Sequence, residues 1–195
     1  NWSKTALAWM SIGYETQIPP ISTLTFYNAI ANNGKMMRPR FVKQVIKDGQ
    51  VIMDFPPEVV KGHEQIAKPQ TIKTMQTILE HVVSQGLGKK AGSPSFKVAG
   101  KTGTAQMSKG VAGYKSGTMN YLLSFAGFFP ADAPRYSCIV CIQKSGLTAS
   151  GGGMSGVVFH HIAEGIMAQD LKLDVKDARD STSILVPQVK DGNIL

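Results

Sequence analysis

Three strand-like runs succeed one another between residues 96 and 143: "FKVAGKTGTAQ" (96–106), "YLLSFAGFF" (121–129) and "YSCIVCIQ" (136–143). The turn "PADAPR" joins the last two, and no helical period intervenes. Parallel neighbours need a long crossover, usually a helix, whereas antiparallel strands need only a turn. The order strand, strand, strand, helix therefore predicts a meandering antiparallel sheet, and the fold class is α+β rather than alternating α/β.

Helical periods lie outside this block. Residues 20–33 begin with Pro20 in the first turn, place Ile21, Leu24 and Ile30 inward and stop at Gly34. Residues 69–84 repeat the design with Pro69, then Ile72, Met75, Leu79 and Val82, and Gly86 beyond. Residues 155–169 space Val158, Ile162 and Ile166 four apart on one expected face. Between the first two helices, "FVKQVIKDGQVIMDF" reads as a hairpin turning at Asp48-Gly49.

The 195 residues, 43% hydrophobic and 17% charged, suit one sizeable core plus a tail. The net charge is +8, but the basic residues run from Lys4 to Lys190 without a block, so nucleic-acid binding is not expected. No apolar run is long enough to span a membrane. The opening "NWSKTALAWM" carries two tryptophans and reads like the inside of a domain. The tail "DARDSTSILVPQVKDGNIL" changes character, which divides the chain into 1–175 and a linker-like 176–195. The segment "MSKGVAGYKSGTM" reads as a mobile loop at the rim of a site.

Several chemical signals have plainer readings. Cys138 and Cys141 form C-x-x-C. Within a strand, residues three apart face opposite sides about 10 Å apart, too far for a disulfide, so both are expected to be core cysteines. "GGGMSG" (151–156) matches G-x-G-x-x-G, but the preceding strand is too distant for a dinucleotide turn and no parallel strand follows. A flexible glycine turn is expected there. His160, His161 and Glu164 share a helix without a third ligand and are expected on the surface.

"KTGT", residues 101–104, is different. Alternation puts Lys101 and Gly103 on one face of the strand and Thr102 and Thr104 on the other. Gly103 lets another group approach the backbone closely. An ammonium and hydroxyls beside that gap suit a carboxylate. The free N–H groups of an edge strand suit an extended peptide or an oxyanion.

This motif resembles the third signature of the penicillin-binding proteins and serine β-lactamases. "WMSIGYETQIPPISTLTFYNAIANNGKMMRPRFV" is similar to the segment after the second signature in class B penicillin-binding proteins, with Gly13, Tyr14, Pro20, Gly34, Arg38 and Pro39 in register. "SFAGFFPADAPRYSCIVCI" and the glycine turn extend the resemblance over about residues 2–170, closest to the division-type transpeptidases. The ending "VPQVKDGNIL" resembles the opening of a PASTA domain, cut short. Glu15 and Pro19 depart from the family pattern at the helix entry. No serine here has lysine three residues on or asparagine two residues on, so S-x-x-K and S-x-N are both expected upstream of Asn1.

The resemblance implies the C-terminal part of a serine-type peptidoglycan D,D-transpeptidase domain. In that family a serine attacks the stem peptide's penultimate D-alanine carbonyl, and β-lactams acylate the same serine. Lys101 would supply positive charge near the S-x-N serine and aid proton transfer. Thr102, Gly103 and Thr104 would form the substrate-binding strand, with Thr104 touching the carboxylate and its N–H giving half an oxyanion hole. No metal or organic cofactor is implied. The implied partners are stem peptides, β-lactams and unspecified division or elongation proteins. The implied place is the extracytoplasmic face of a bacterial membrane, anchored by an upstream segment. A β-lactam sensor domain and a non-catalytic interaction module are the rival readings, which the complete gene would separate.

Overall fold

The computed structural model describes residues 4–14, 16–107 and 118–178, with the backbone path alone for 172–178. A three-stranded antiparallel meander of β3 (Ala99–Met107), β4 (Asn120–Phe129) and β5 (Tyr136–Ser145) forms its centre, in the order β3-β4-β5. This is the α+β architecture expected. The loop expectation at 107–119 falls mostly outside the described residues, as do residues 179–195.

Pairs across β3 and β4 assign the two faces. Thr102 stands opposite Phe125 and Thr104 opposite Leu123, whereas Lys101 stands opposite Ala126 and Gly103 opposite Ser124. Phe125 and Leu123 are fully buried. On their face lies α4 (Gly156–Ala178), whose Phe159 ring packs 4.7 Å from that of Phe125 and 5.6 Å from that of Phe129. The opposite face carries Ala99 and Phe128 against Ile30, Ala31 and Leu79. Those three belong to α2 (Pro20–Ala31) and α3 (Pro69–Ser84). The sheet is thus the middle layer of three.

Both helices start at the expected prolines, whose missing N–H costs nothing in a first turn. Their inward stripes differ in detail from expectation. Ile21 is 38% exposed, because only the last turn of α2, Ala29–Ala31, reaches the core. In α3, Met75 is 38% exposed and Val82 half-buried, while Ile72, Leu79 and Val83 are buried. The place expected for Met75 goes to Gln76, whose amide donates to the Ile30 carbonyl at 2.8 Å. In α4 the buried face is turned by one residue. Phe159 and Ala163 are buried, and Val158 and Ile162 are exposed. The large ring filling the space over β4, with a small alanine one turn later, sets that rotation.

Three further expectations are corrected. Cys141 is exposed and Cys138 only half-buried, because β5 is an outer strand. His160 and Glu164 are half-buried, with His160 Nδ1 and Glu164 Oε1 enclosed and unpartnered among the described residues. The glycine turn is not loose: Gly151 and Gly152 are buried within a π-helical turn, Gly151–Ser155, that leads into α4. Burial also pushes the Cys138 thiol up, and the Cys141 thiol with it.

The hairpin β1 (Gln44–Lys47) and β2 (Gln50–Asp54) forms as expected. Asp48 and Gly49 have φ of 51° and 78°, the pair of left-handed residues that a two-residue turn requires. Every residue of both strands is exposed. The far end of the molecule is fastened by Asp170, which accepts from the Tyr136 hydroxyl at 2.6 and 2.7 Å and pairs with Arg135 at 3.3 Å. Of the short first helix α1 (Ala6–Met10), only Ala6 is buried.

Candidate active site

The Lys-Thr-Gly-Thr run lies on β3, which pairs with β4 on one side and, among the described residues, with no strand on the other. The phase of the strand follows from one contact. The Gln106 N–H donates to the Tyr14 hydroxyl at 3.1 Å, away from β4. In an antiparallel pair the backbone groups of alternate residues point to opposite sides. The N–H groups of Thr102 and Thr104 therefore point to the open side with that of Gln106. The Lys101 ammonium agrees, since it donates to the Thr102 carbonyl at 2.9 Å.

The threonine side chains project toward the α4 face. There the Gly151 N–H donates to Thr104 Oγ1 at 3.1 Å, which joins the motif to the glycine turn. Thr104 is exposed and Thr102 half-buried. Lys101 is exposed on the opposite face.

Gly103 is crowded from within the chain. A Cβ there would stand 2.3 Å from Ser124 Oγ. A Cβ on Gly151 would stand 2.3 Å from the Gly103 carbonyl oxygen. The close approach expected at Gly103 is thus already made on one side by the turn before α4. Sequence reasoning missed both neighbours. Ser124 carries no sequence signal. Gly151 carries one, since three consecutive glycines exceed what an ordinary turn needs.

Two hollows are relevant to the motif strand, and neither is lined by a motif residue. One of about 480 Å³ lies beside the turn, between Lys89, Lys90, Thr148, Ser150 and Gly152. A larger one, about 810 Å³, lies near the start of the strand by Phe96, Lys97 and Asp132 and touches none of the four motif residues. Among the described residues, no His, Cys, Asp and Glu side chains cluster in threes in a way that would hold a metal ion.

Residues 1–164 match the penicillin binding protein transpeptidase domain. The chain is 30% identical over 177 residues to the penicillin-binding protein PbpB of Mycolicibacterium smegmatis, across 86% of this chain and 26% of that protein. It is 31% identical over 151 residues to the stage V sporulation protein D of Bacillus subtilis, across 75% of this chain and 22% of that protein. Its fold is similar to apo penicillin binding protein 3 from Mycobacterium tuberculosis, with a TM-score of 0.70 at 32% identity over 87% of this chain and 39% of that one. The transpeptidase domain of penicillin-binding protein 3 from Burkholderia pseudomallei gives 0.66 at 30% identity, over 89% of this chain and 48% of that one. The chain spans about a quarter of the length of these curated relatives. An outer strand carrying Lys-Thr-Gly-Thr, on a meander backed by a glycine turn and a last helix, agrees with the match over residues 1–164: the chain belongs to the class B penicillin-binding protein transpeptidase family.

Proposed function

We propose that this chain is the C-terminal part of a peptidoglycan D,D-transpeptidase domain and supplies one wall of its active site. The other wall, with the nucleophilic serine of S-x-x-K and the serine of S-x-N, comes from sequence upstream of Asn1. In the proposed reaction the serine oxygen attacks the penultimate D-alanine carbonyl carbon of a stem peptide. The bond to the terminal D-alanine breaks and an acyl-serine ester forms. An amine from a neighbouring stem then displaces the serine, leaving a new amide. A β-lactam acylates the same serine through its ring carbonyl.

The observation that carries this reading is the phase of β3. The Thr104 N–H points to the open edge, where a donor can meet an oxyanion developing in the transition state. Lys101 lies three residues before Thr104 and is exposed. Its ammonium now rests on the Thr102 carbonyl, a neutral acceptor that a reacting anionic group would outcompete. Thr102 and Thr104 would recognise the substrate carboxylate, and Gly103 would leave the strand bare for the acyl group. No cofactor enters the reaction. The partners are stem peptides and β-lactams, with division or elongation proteins around them. The place of action is the extracytoplasmic face of the membrane. The proposed anchor is an upstream segment; no helix among the described residues is long and apolar enough to cross a membrane.

A fluorescent penicillin and a denaturing gel test the assignment. Residues 1–195 alone are expected to give no covalent band, while the parent with its upstream segment gives a strong one. In the parent, Lys101→Ala is expected to slow acylation with little loss of stability, since an exposed lysine contributes charge rather than packing. A labelled serine within residues 1–195, or an unlabelled parent, overturns the reading.

A further inference from the structure

We infer that Gly151 is a positioning residue for the site: its N–H fixes the Thr104 hydroxyl as a donor aimed at the carboxylate of the ligand. This rests on the reading of Thr104 as a ligand contact given above. It adds a residue 47 positions away in sequence that touches no ligand itself.

A threonine hydroxyl has one proton and two acceptor lone pairs. Left alone it rotates, and it meets a carboxylate as donor only part of the time. Here the Gly151 N–H, 3.1 Å away, occupies a lone pair of Thr104 Oγ1. The Thr104 proton cannot then point at Gly151, and no acceptor among the described residues takes it. Thr104 is an exposed residue, and with Gly151 on one side of its hydroxyl the proton is left to point outward. A carboxylate oxygen finds a donor already oriented, and no reorganisation is needed when it binds.

The glycines are there because only glycine fits this approach. A Cβ at Gly151 would lie 2.3 Å from the Gly103 carbonyl oxygen and 2.9 Å from that of Ser124, both backbone atoms that cannot step aside. A Cβ at Gly152 would lie 2.4 Å from the Leu87 carbonyl oxygen and 3.2 Å from Thr102 Cγ2. The turn is clamped between the motif strand and the loop after α3. Its own geometry is set by Ser150, whose Oγ accepts the Gly153 N–H at 2.9 Å. The Gly156 N–H reaches back five residues to the Gly151 carbonyl. Such π-helical turns recur at functional sites.

The test uses the full-length parent, with acylation rates measured for benzylpenicillin and for its neutral carboxylate methyl ester. Gly151→Ala and Thr104→Val are each expected to slow benzylpenicillin by about tenfold or more, the scale of one hydrogen bond to a charged group. Acylation by the ester is expected to change by less than about twofold, because the ester lacks the charge that this hydrogen bond serves. Thr104→Ser keeps both roles of the hydroxyl and is expected to keep the wild-type ratio. Amide exchange at Gly151 is expected to quicken in Thr104→Val and not in Thr104→Ser. A wild-type ratio in Gly151→Ala, equal slowing of both probes, or unchanged Gly151 exchange in Thr104→Val each overturns the inference. A parent that no penicillin acylates would instead overturn the reading of function, while the exchange measurement still judges the contact.

Discussion

The Tyr14 hydroxyl accepts the Gln106 N–H at 3.1 Å and so caps the open edge of β3 two residues beyond Thr104. A loop residue near the start of the chain thereby limits how far an incoming strand can pair with β3. Tyr14→Phe removes the acceptor and returns that N–H to water. Amide exchange at Gln106 is expected to accelerate, at a cost of about 0.5–1.5 kcal/mol in stability, the usual net worth of one hydrogen bond. Unchanged exchange would mean that the hydroxyl does not hold this edge.

The glycines of the sheet separate into two groups by what a side chain would strike. A Cβ at Gly127 would stand 2.4 Å from the Ala99 carbonyl oxygen, which is backbone. A Cβ at Gly103 would meet only Ser124 Oγ closely, an atom that can rotate away. Gly127→Ala is therefore expected to destabilise the domain by about 1–3 kcal/mol, the range for overpacking a core. Gly103→Ala is expected to cost less than about 1 kcal/mol, the scale of an off-rotamer side chain. Urea unfolding of the two variants decides this, and equal costs would contradict it. If the ordering holds, any loss of acylation in Gly103→Ala in the parent belongs to the site and not to folding.

Much of this arrangement was legible in the sequence because the signals were local. Pro69 and Gly86 bracket α3, Asp48-Gly49 turns the hairpin, and three strand runs without a helix between them make a meander. The Lys-Thr-Gly-Thr run could be placed on a strand and its side chains divided between two faces by alternation alone. What was not legible depends on partners distant in sequence. Which face of α4 is buried is decided by where Phe159 meets Phe125 and Phe129, and Val158 and Ile162 offer an equally apolar stripe. The tightness of the glycine turn is decided by the Gly103 and Leu87 carbonyls, and nothing in "GGGMSG" announces them. Whether Cys141 is covered depends on β5 being an outer strand, which strand composition does not state.

Burial raises the Cys138 thiol above its usual range, and the Tyr27 phenol is raised for the same reason. The folded chain therefore holds these protons more tightly than the unfolded chain. This contribution to stability is complete below the unfolded thiol value, about 8.5. It is lost as pH climbs through the folded value. Unfolding midpoints are expected to be flat through neutrality and to fall on the alkaline side. In Cys138→Ala the alkaline fall is expected to be shallower, with the shares of the Cys141 thiol and the phenol remaining. Parallel pH profiles for the two proteins would remove Cys138 as a contributor.

The outer edge of β5 offers the clearest hazard in the isolated chain. Tyr136–Ser145 pairs with β4 along one side, and among the described residues no strand pairs with the other. Its middle is largely unguarded, with Ile139 and Ile142 half-buried and Cys141 exposed, and its polar residues Gln143 and Lys144 lie toward one end. A row of unpaired N–H and C=O groups beside apolar side chains recruits another strand. Residues 1–195 are expected either to associate through β5 of a second copy as concentration rises, or to fold their own tail onto that edge within one chain. Light scattering reads the first, and protection of alternate β5 amides from exchange reads either. Cys141→Lys puts a charge on an exposed position of this strand and is expected to reduce association. Chains ending at residue 178 separate the two modes, since they lose the tail and keep the edge. A monomer at every concentration, with the β5 amides exchanging as freely as those of an exposed loop, would show that the edge is tolerated bare.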